Sequence, residues 1–202
     1  TTPYVSSLQA TKQINKLNYF ISFGRKSSLL IGIVSAGLLI FVSSQLINFF
    51  EPTPNVSSKA ISYLILRSLG LPFYLLNMHS TAVLRGMKYP KITLYSSVIV
   101  GVSNVVLSYF LGIVLNFGIT GIAVSSSIAF FISSLYSTKV LIDTQTQTTN
   151  SVISEEKKEI SKKFFSVGFF IFIRSMFLTL FMAYLRNRAS LMSMSEIALQ
   201  HV

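Results

Sequence analysis

From Ile92 to Thr138 the chain runs for 47 residues without one charged side chain. No soluble fold needs such a run. A membrane-spanning helix needs about 20 apolar residues to cross roughly 30 Å of hydrocarbon. The run is therefore long enough for two crossings, with Asn116-Phe117-Gly118-Ile119-Thr120 as the turn between them. Before it lies a basic knot, Arg85-Gly86-Met87-Lys88-Tyr89-Pro90-Lys91, and before that another apolar stretch, Val56–Leu84.

The other segments fit this pattern. Ser27–Phe50 is uncharged, and Glu51-Pro52-Thr53-Pro54-Asn55 reads as a turn because two prolines cannot continue a helix. In Val56–Leu84, Pro72 is expected to bend the span. Phe164–Leu185 is a fifth span, interrupted only by Arg174, with Arg186–Met194 as a loop after it. Asp143–Lys163 is polar and low in complexity, a solvated linker whose second half is expected to form a short helix with Ser154 as N-cap. Thr1–Leu8 reads as the end of an earlier span and Ser195–Val202 as the start of a later one, so the chain reads as an internal fragment of a larger membrane protein.

Composition agrees. The chain is 51% hydrophobic and 11% charged, with a mean hydropathy of +0.62, against about 25% charged residues in a soluble domain. The net charge of +11 raises nucleic acid as a partner, but the positions of the charges exclude it. With alternating crossings, the loops 12–26, 85–91 and 139–163 share one face, and they hold twelve of the 17 Lys and Arg. The opposite loops hold only Lys59, Arg186 and Arg188, while Arg67 and Arg174 lie within spans. That asymmetry is the positive-inside pattern, and it places the basic face in the cytoplasm or its organellar equivalent.

Chemistry for an enzyme is missing. There is no cysteine, no carboxylate inside a span and no His pair beyond the isolated His79 and His201. No nucleophile–base or metal constellation can be assembled, no Gly-rich phosphate loop is visible, and no cofactor is implied. Packing signals are present instead. Gly121, Ser125, Ala129, Ser133 and Ser137 repeat every four residues, a ridge of small side chains that lets membrane helices approach closely. Ser97, Gly101, Asn104, Ser108 and Gly112 form a comparable stripe in the preceding span, and the Asn104 amide needs partners there or a water-filled cavity.

Several segments resemble one family. RGMKYPKITLY at Arg85–Tyr95 is similar to the RGxKDTKTPLY of multidrug and toxic compound extrusion (MATE) transporters. LRSLGLPFYLL at Leu66–Leu76 resembles that family's IRALGAPxxLL, and GITGIAVSSSIA at Gly118–Ala129 its GVxGAAIAxxxS. TTPYVSSLQ resembles the end of its second span, and Asn104 falls where the family has a span-five Asn. The nearest branch is the plant and DinF-type one, which includes exporters of citrate and phenolic acids. The chain departs from the pattern at Tyr89 and Thr93, which replace an Asp and a Pro, and at Ser108-Tyr109, which replaces an Asp-Pro.

The resemblance implies an all-α polytopic membrane protein, part of a twelve-helix, two-lobe fold. Residues 1–142 would be most of the first lobe, 143–163 the inter-lobe linker, and 164–202 span seven and the start of span eight. The implied function is secondary antiport of small organic compounds by alternating access, with H⁺ or Na⁺ as coupling ion and the lipid bilayer and the remaining helices as partners. Arg174, Asn104 and Arg67 are the candidate residues of the substrate path. A lipid-linked oligosaccharide flippase of the same superfold and a non-transporting receptor or scaffold are the alternatives. The membrane, plasma membrane or an organelle such as the plastid, is left open.

Overall fold

The computed structural model describes residues 1–48, 53–145 and 154–199. Seven α-helices and one π-helical segment make up the described chain: α1 (Thr2–Ala10), α2 (Ile14–Asn48), α3 (Pro54–Ser68), α4 (Leu71–Gly86), α5 (Pro90–Ser108), the π segment (Tyr109–Val114), α6 (Gly118–Thr144) and α7 (Ser154–Leu199). By length and apolarity, α2, α5 with its π segment, and α6 can each cross a membrane, and α3 with α4 can form a fourth, bent crossing. The fold is all-α and multi-pass.

α2 departs from expectation. Lys12 lies in the connection before it, but Lys16, Arg25 and Lys26, expected in a loop, belong to the helix. The helix forms early because Leu17, Phe20, Ile21, Gly24 and Ser28 recur on one buried face, which leaves the basic side chains on the other. At 35 residues it measures about 52 Å, longer than the hydrocarbon needs, so its first turns hold the charges outside the apolar layer.

The bend in the next span is displaced as well. α3 and α4 meet at 43°, and the break falls at Leu69-Gly70, with Pro72 in the first turn of α4. Proline is tolerated there because a first-turn N–H has no intrahelical acceptor. Gly70 is required for packing: a Cβ on it would lie 2.7 Å from Ser127 Oγ and 3.0 Å from Ser127 Cα. Proline also opens α3, at Pro54, and α5, at Pro90.

Contacts fix the helix directions. Residues of the first half of α2 meet the middle of α4 (Phe20 and Gly24 with His79), and Gly32, further along α2, meets Pro72 at its start, so the two run antiparallel. Thr93 on α5 donates to Thr81 O on α4 at 3.3 Å, and Ser96 donates to Asn77 Oδ1 at 3.0 Å, again antiparallel. α6 returns along α5, with Ser133 opposite Ser96 and Ser125 opposite Ser108. Consecutive crossings therefore alternate. The connections at Lys12 and at Lys88–Tyr89 and the end of α6 gather at one end, with the first turn of α7 held there by Lys16–Glu156 at 3.1 Å. The short α1 docks at the same end, with the Thr2 hydroxyl donating to Ala82 O at 3.0 Å. The end of α2 at Asn48, the start of α3 and the connection after Val114 lie at the other end.

The polar segment after α6 is also corrected. Asp143 and Thr144 still belong to α6, 146–153 lie outside the described residues, and Ser154 is itself the first helical residue of α7. α7 continues to Leu199 through 186–194, expected as a loop, and through the start expected for span eight at Ser195. No Gly or Pro occurs between Phe169 and Leu199, so nothing there stops a helix. The described chain separates into two compact units, Thr1–Lys157 and Lys158–Val202.

Candidate functional site

Along α6 the expected ridge of small residues is buried: Gly121, Ser125, Ala129, Ser133 and Ser137 all face inward. Two asparagines from neighbouring helices reach this ridge, and each acts as a hub for hydroxyl groups.

Asn104 on α5 is the first. Its Oδ1 accepts from Ser108 at 3.1 Å, Ser126 at 3.2 Å and Ser125 at 3.4 Å, and the Ser108 and Ser125 hydroxyls are 2.6 Å apart. The stripe expected on α5 splits around it. Ser97 points away and bonds its own helix at Thr93 O, and a Cβ at Gly101 would meet open space. Ser96, not Ser97, is the buried serine of this part of α5, where its hydroxyl meets Asn77 of α4 and Ser133 of α6. Asn104, Ser108 and Gly112 line an open cleft of about 650 Å³ with Tyr109, Ile113, Ile119, Ile122 and Ser126. Its walls combine neutral oxygens with aromatic and branched apolar groups, which suits an amphiphilic organic molecule.

Asn77 on α4 is the second hub, and the sequence reading missed it. Its Oδ1 accepts from Ser137 at 2.8 Å, Ser96 at 3.0 Å and Ser133 at 3.3 Å. Ser133 and Ser96 are themselves 2.7 Å apart. The signal was a carboxamide inside an apolar run, the same signal that singled out Asn104. Two residues on, His79 is buried with Nε2 3.3 Å from Ile21 O on α2.

Arg67 lies at the end of α3, half-buried, with its guanidinium carbon 5.2 Å from the centroid of the Phe130 ring on α6. That cation–π contact stands beside the cleft-bearing helix, but Arg67 does not line the cleft. Arg174 is exposed on α7, in the second compact unit. The structure thus brings Asn104 together with Ser108, Ser125 and Ser126, while Arg67 of α3 meets the Phe130 ring of α6 and Arg174 belongs to the second unit.

The family model described as MatE matches residues 1–110, more than half of the 202 residues. The chain belongs to the MatE family. Among curated MatE-like relatives, Protein DETOXIFICATION 43 of Arabidopsis thaliana is 36% identical over 109 residues, which is 53% of this chain and 21% of that protein. Protein DETOXIFICATION 42 of the same plant is 32% identical over 107 residues, 50% of this chain and 20% of that protein. Lipid II flippase MurJ of Thermosipho africanus is 33% identical over 123 residues, 59% of this chain and 26% of that protein. A solved structure of lipid II flippase MurJ in an inward closed conformation superposes with a TM-score of 0.58 and 25% identity, covering 85% of this chain and 36% of that one. This MatE chain therefore spans about a quarter or less of the length of the curated relatives it matches.

Proposed function

We propose that this MatE-family chain is part of a secondary active antiporter that exports small organic compounds by alternating access. The observation that carries the proposal is the cleft between α5 and α6, where the Asn104 hub supplies oriented oxygens within apolar walls. Neutral oxygens of this kind suit Na⁺, a hard cation, as well as a substrate hydroxyl; H⁺ is the alternative coupling ion and would need a titratable group outside this cleft. In this reading 1–142 would be most of the first lobe, 143–163 the inter-lobe linker, and 164–202 the start of the second lobe. Arg174, exposed on α7, would act as a cationic anchor for an organic anion, and Arg67 would stand second to it.

The test is flux through the full-length protein in proteoliposomes. Asn104→Leu removes the shared acceptor while nearly keeping the volume. Export of a citrate-like anion is expected to fall roughly tenfold, the worth of about one good hydrogen bond. Flux at the native rate through a folded Asn104→Leu protein would overturn the role of the cleft.

The MurJ likeness, which covers 85% of this chain, favours a second reading as a flippase of lipid-linked oligosaccharides. The two separate in one assay. A flippase would translocate a fluorescent lipid-linked sugar and leave a soluble organic anion unmoved.

A further inference from the structure

α5 and α6 are pinned together at two levels. Near the basic end Ser96 and Ser133 share Asn77 Oδ1, and a few turns further on Ser108 and Ser125 share Asn104 Oδ1. Immediately beyond Ser108 the α-helix gives way to the π segment. There Leu115 N–H donates to Phe110 O, five residues back, at 2.9 Å, and Phe117 N–H donates to Leu111 O at 3.2 Å. The backbone of this segment rests directly on Gly121 of α6: a Cβ on Gly121 would lie 2.7 Å from Leu111 C and O and 2.9 Å from Gly112 N. The cleft is walled on both sides of the change, by Asn104 and Ser108 before it and by Gly112 and Ile113 within it.

We propose that the π segment is a register switch that reshapes the cleft. A π turn holds one residue more than an α turn, and such segments recur at functional sites. If Leu115 N–H passes from Phe110 O to Leu111 O, and the N–H groups before it in the segment each move to the carbonyl one residue on in the same way, the segment becomes α-helical. Leu111 O is the acceptor that Phe117 N–H now uses, so the turn after the segment must release it. The residues beyond the change then rotate by about 100°. Asn104 and Ser108 stay in place, because α6 holds them, while Ile113 and the turn after it move. One wall of the cleft is fixed and the other has two positions. Gly121 is what allows the π form, since any side chain there would push the Leu111 carbonyl away.

Deleting Val114 tests this. Removal of one residue turns the Leu115-to-Phe110 pair into an ordinary α-helical one, so the segment has no extra residue left to place and a single register remains. The experiment uses the full-length protein on a cysteine-free background, in lipid nanodiscs, with spin labels in pairs. The pair Ile113–Leu135 crosses from the moving wall to α6, and the pair Val98–Leu135 joins the pinned parts. All three positions are exposed. Two distance populations are expected for Ile113–Leu135 in the unmodified protein, with one of them lost on deletion, and a single population for Val98–Leu135 in both. One population at Ile113–Leu135 in both proteins, or two that survive the deletion, overturns the switch, as do two populations at Val98–Leu135. Should the deleted protein fail to fold, Gly121→Ala is the second variant, and an unchanged ratio of the two populations then overturns the proposal. The readout is a distance, so it stands whatever the protein carries.

Discussion

The side-chain oxygen of Asn77 accepts hydrogen bonds from α5 and α6 at once, through Ser96, Ser133 and Ser137. In hydrocarbon those hydroxyls have no water to turn to. Interhelical hydrogen bonds in membranes average about 0.6 kcal/mol and reach about 1.7, so Asn77→Ala is expected to cost about 1–2 kcal/mol. A lowered midpoint of thermal unfolding in detergent is the expected result, and Ser137→Ala alone should cost less. An unchanged midpoint for Asn77→Ala would show that the hydroxyls find other acceptors. Gly24 makes the complementary point about space. A Cβ there would collide with the His79 ring, and overpacking costs about 1–3 kcal/mol. Gly24→Ala should destabilise the fold, and Gly24→Ala with His79→Ala should recover part of the loss. The coupling is read from a double-mutant cycle, and additive effects would count against the contact.

At the scale of the element, the sequence announced spans better than it announced where they begin. α2 starts at Ile14, within the segment expected to be a loop, because a buried face forms while Lys16 and Arg25 are still emerging from the interface. α7 continues past Arg186 because no helix breaker follows Gly168. Neither shift changes the alternation of the crossings up to α6. A cysteine placed at Lys88, in the connection before α5, is expected to label only from the cytoplasmic side, and one at Thr53, before α3, only from the other. The described chain contains no free cysteine to obscure the result. Labelling of both from one side would break the alternation that α2, α4, α5 and α6 display.

For the whole molecule, Arg174 is the residue that tests the proposed transport most directly. An Arg at the centre of a membrane helix costs about 2.5–3.5 kcal/mol on insertion scales. The neighbours one turn away along α7 on either side, Phe170 and Leu178, carry no counter-charge. As an anion anchor, Arg174 should keep part of the transport as Arg174→Lys and lose at least roughly tenfold as Arg174→Gln, the worth of a charge-assisted hydrogen bond. Native flux of citrate-like anions by both folded variants would remove Arg174 from the substrate path.

Much of this architecture was legible because a bilayer simplifies the code. Absence of charge over Ile92–Thr138 marks two crossings, and the clustering of Lys and Arg on alternate loops orders them. The four-residue rhythm from Gly121 to Ser137 marks the packing face of α6, since a helix brings such positions to one side. Asn104 could be singled out as a polar group in need of partners. Which groups satisfy it could not, because Ser108 is near in sequence but Ser125 and Ser126 arrive from another helix. The same holds for Asn77 with Ser133 and Ser137, for Gly24 against His79, and for Gly121 beneath the Leu111 carbonyl. Local pattern determines that a helix spans and which face is small. Only the three-dimensional packing decides which hydroxyl meets which amide, and where a helix loosens into the π turn that walls the cleft.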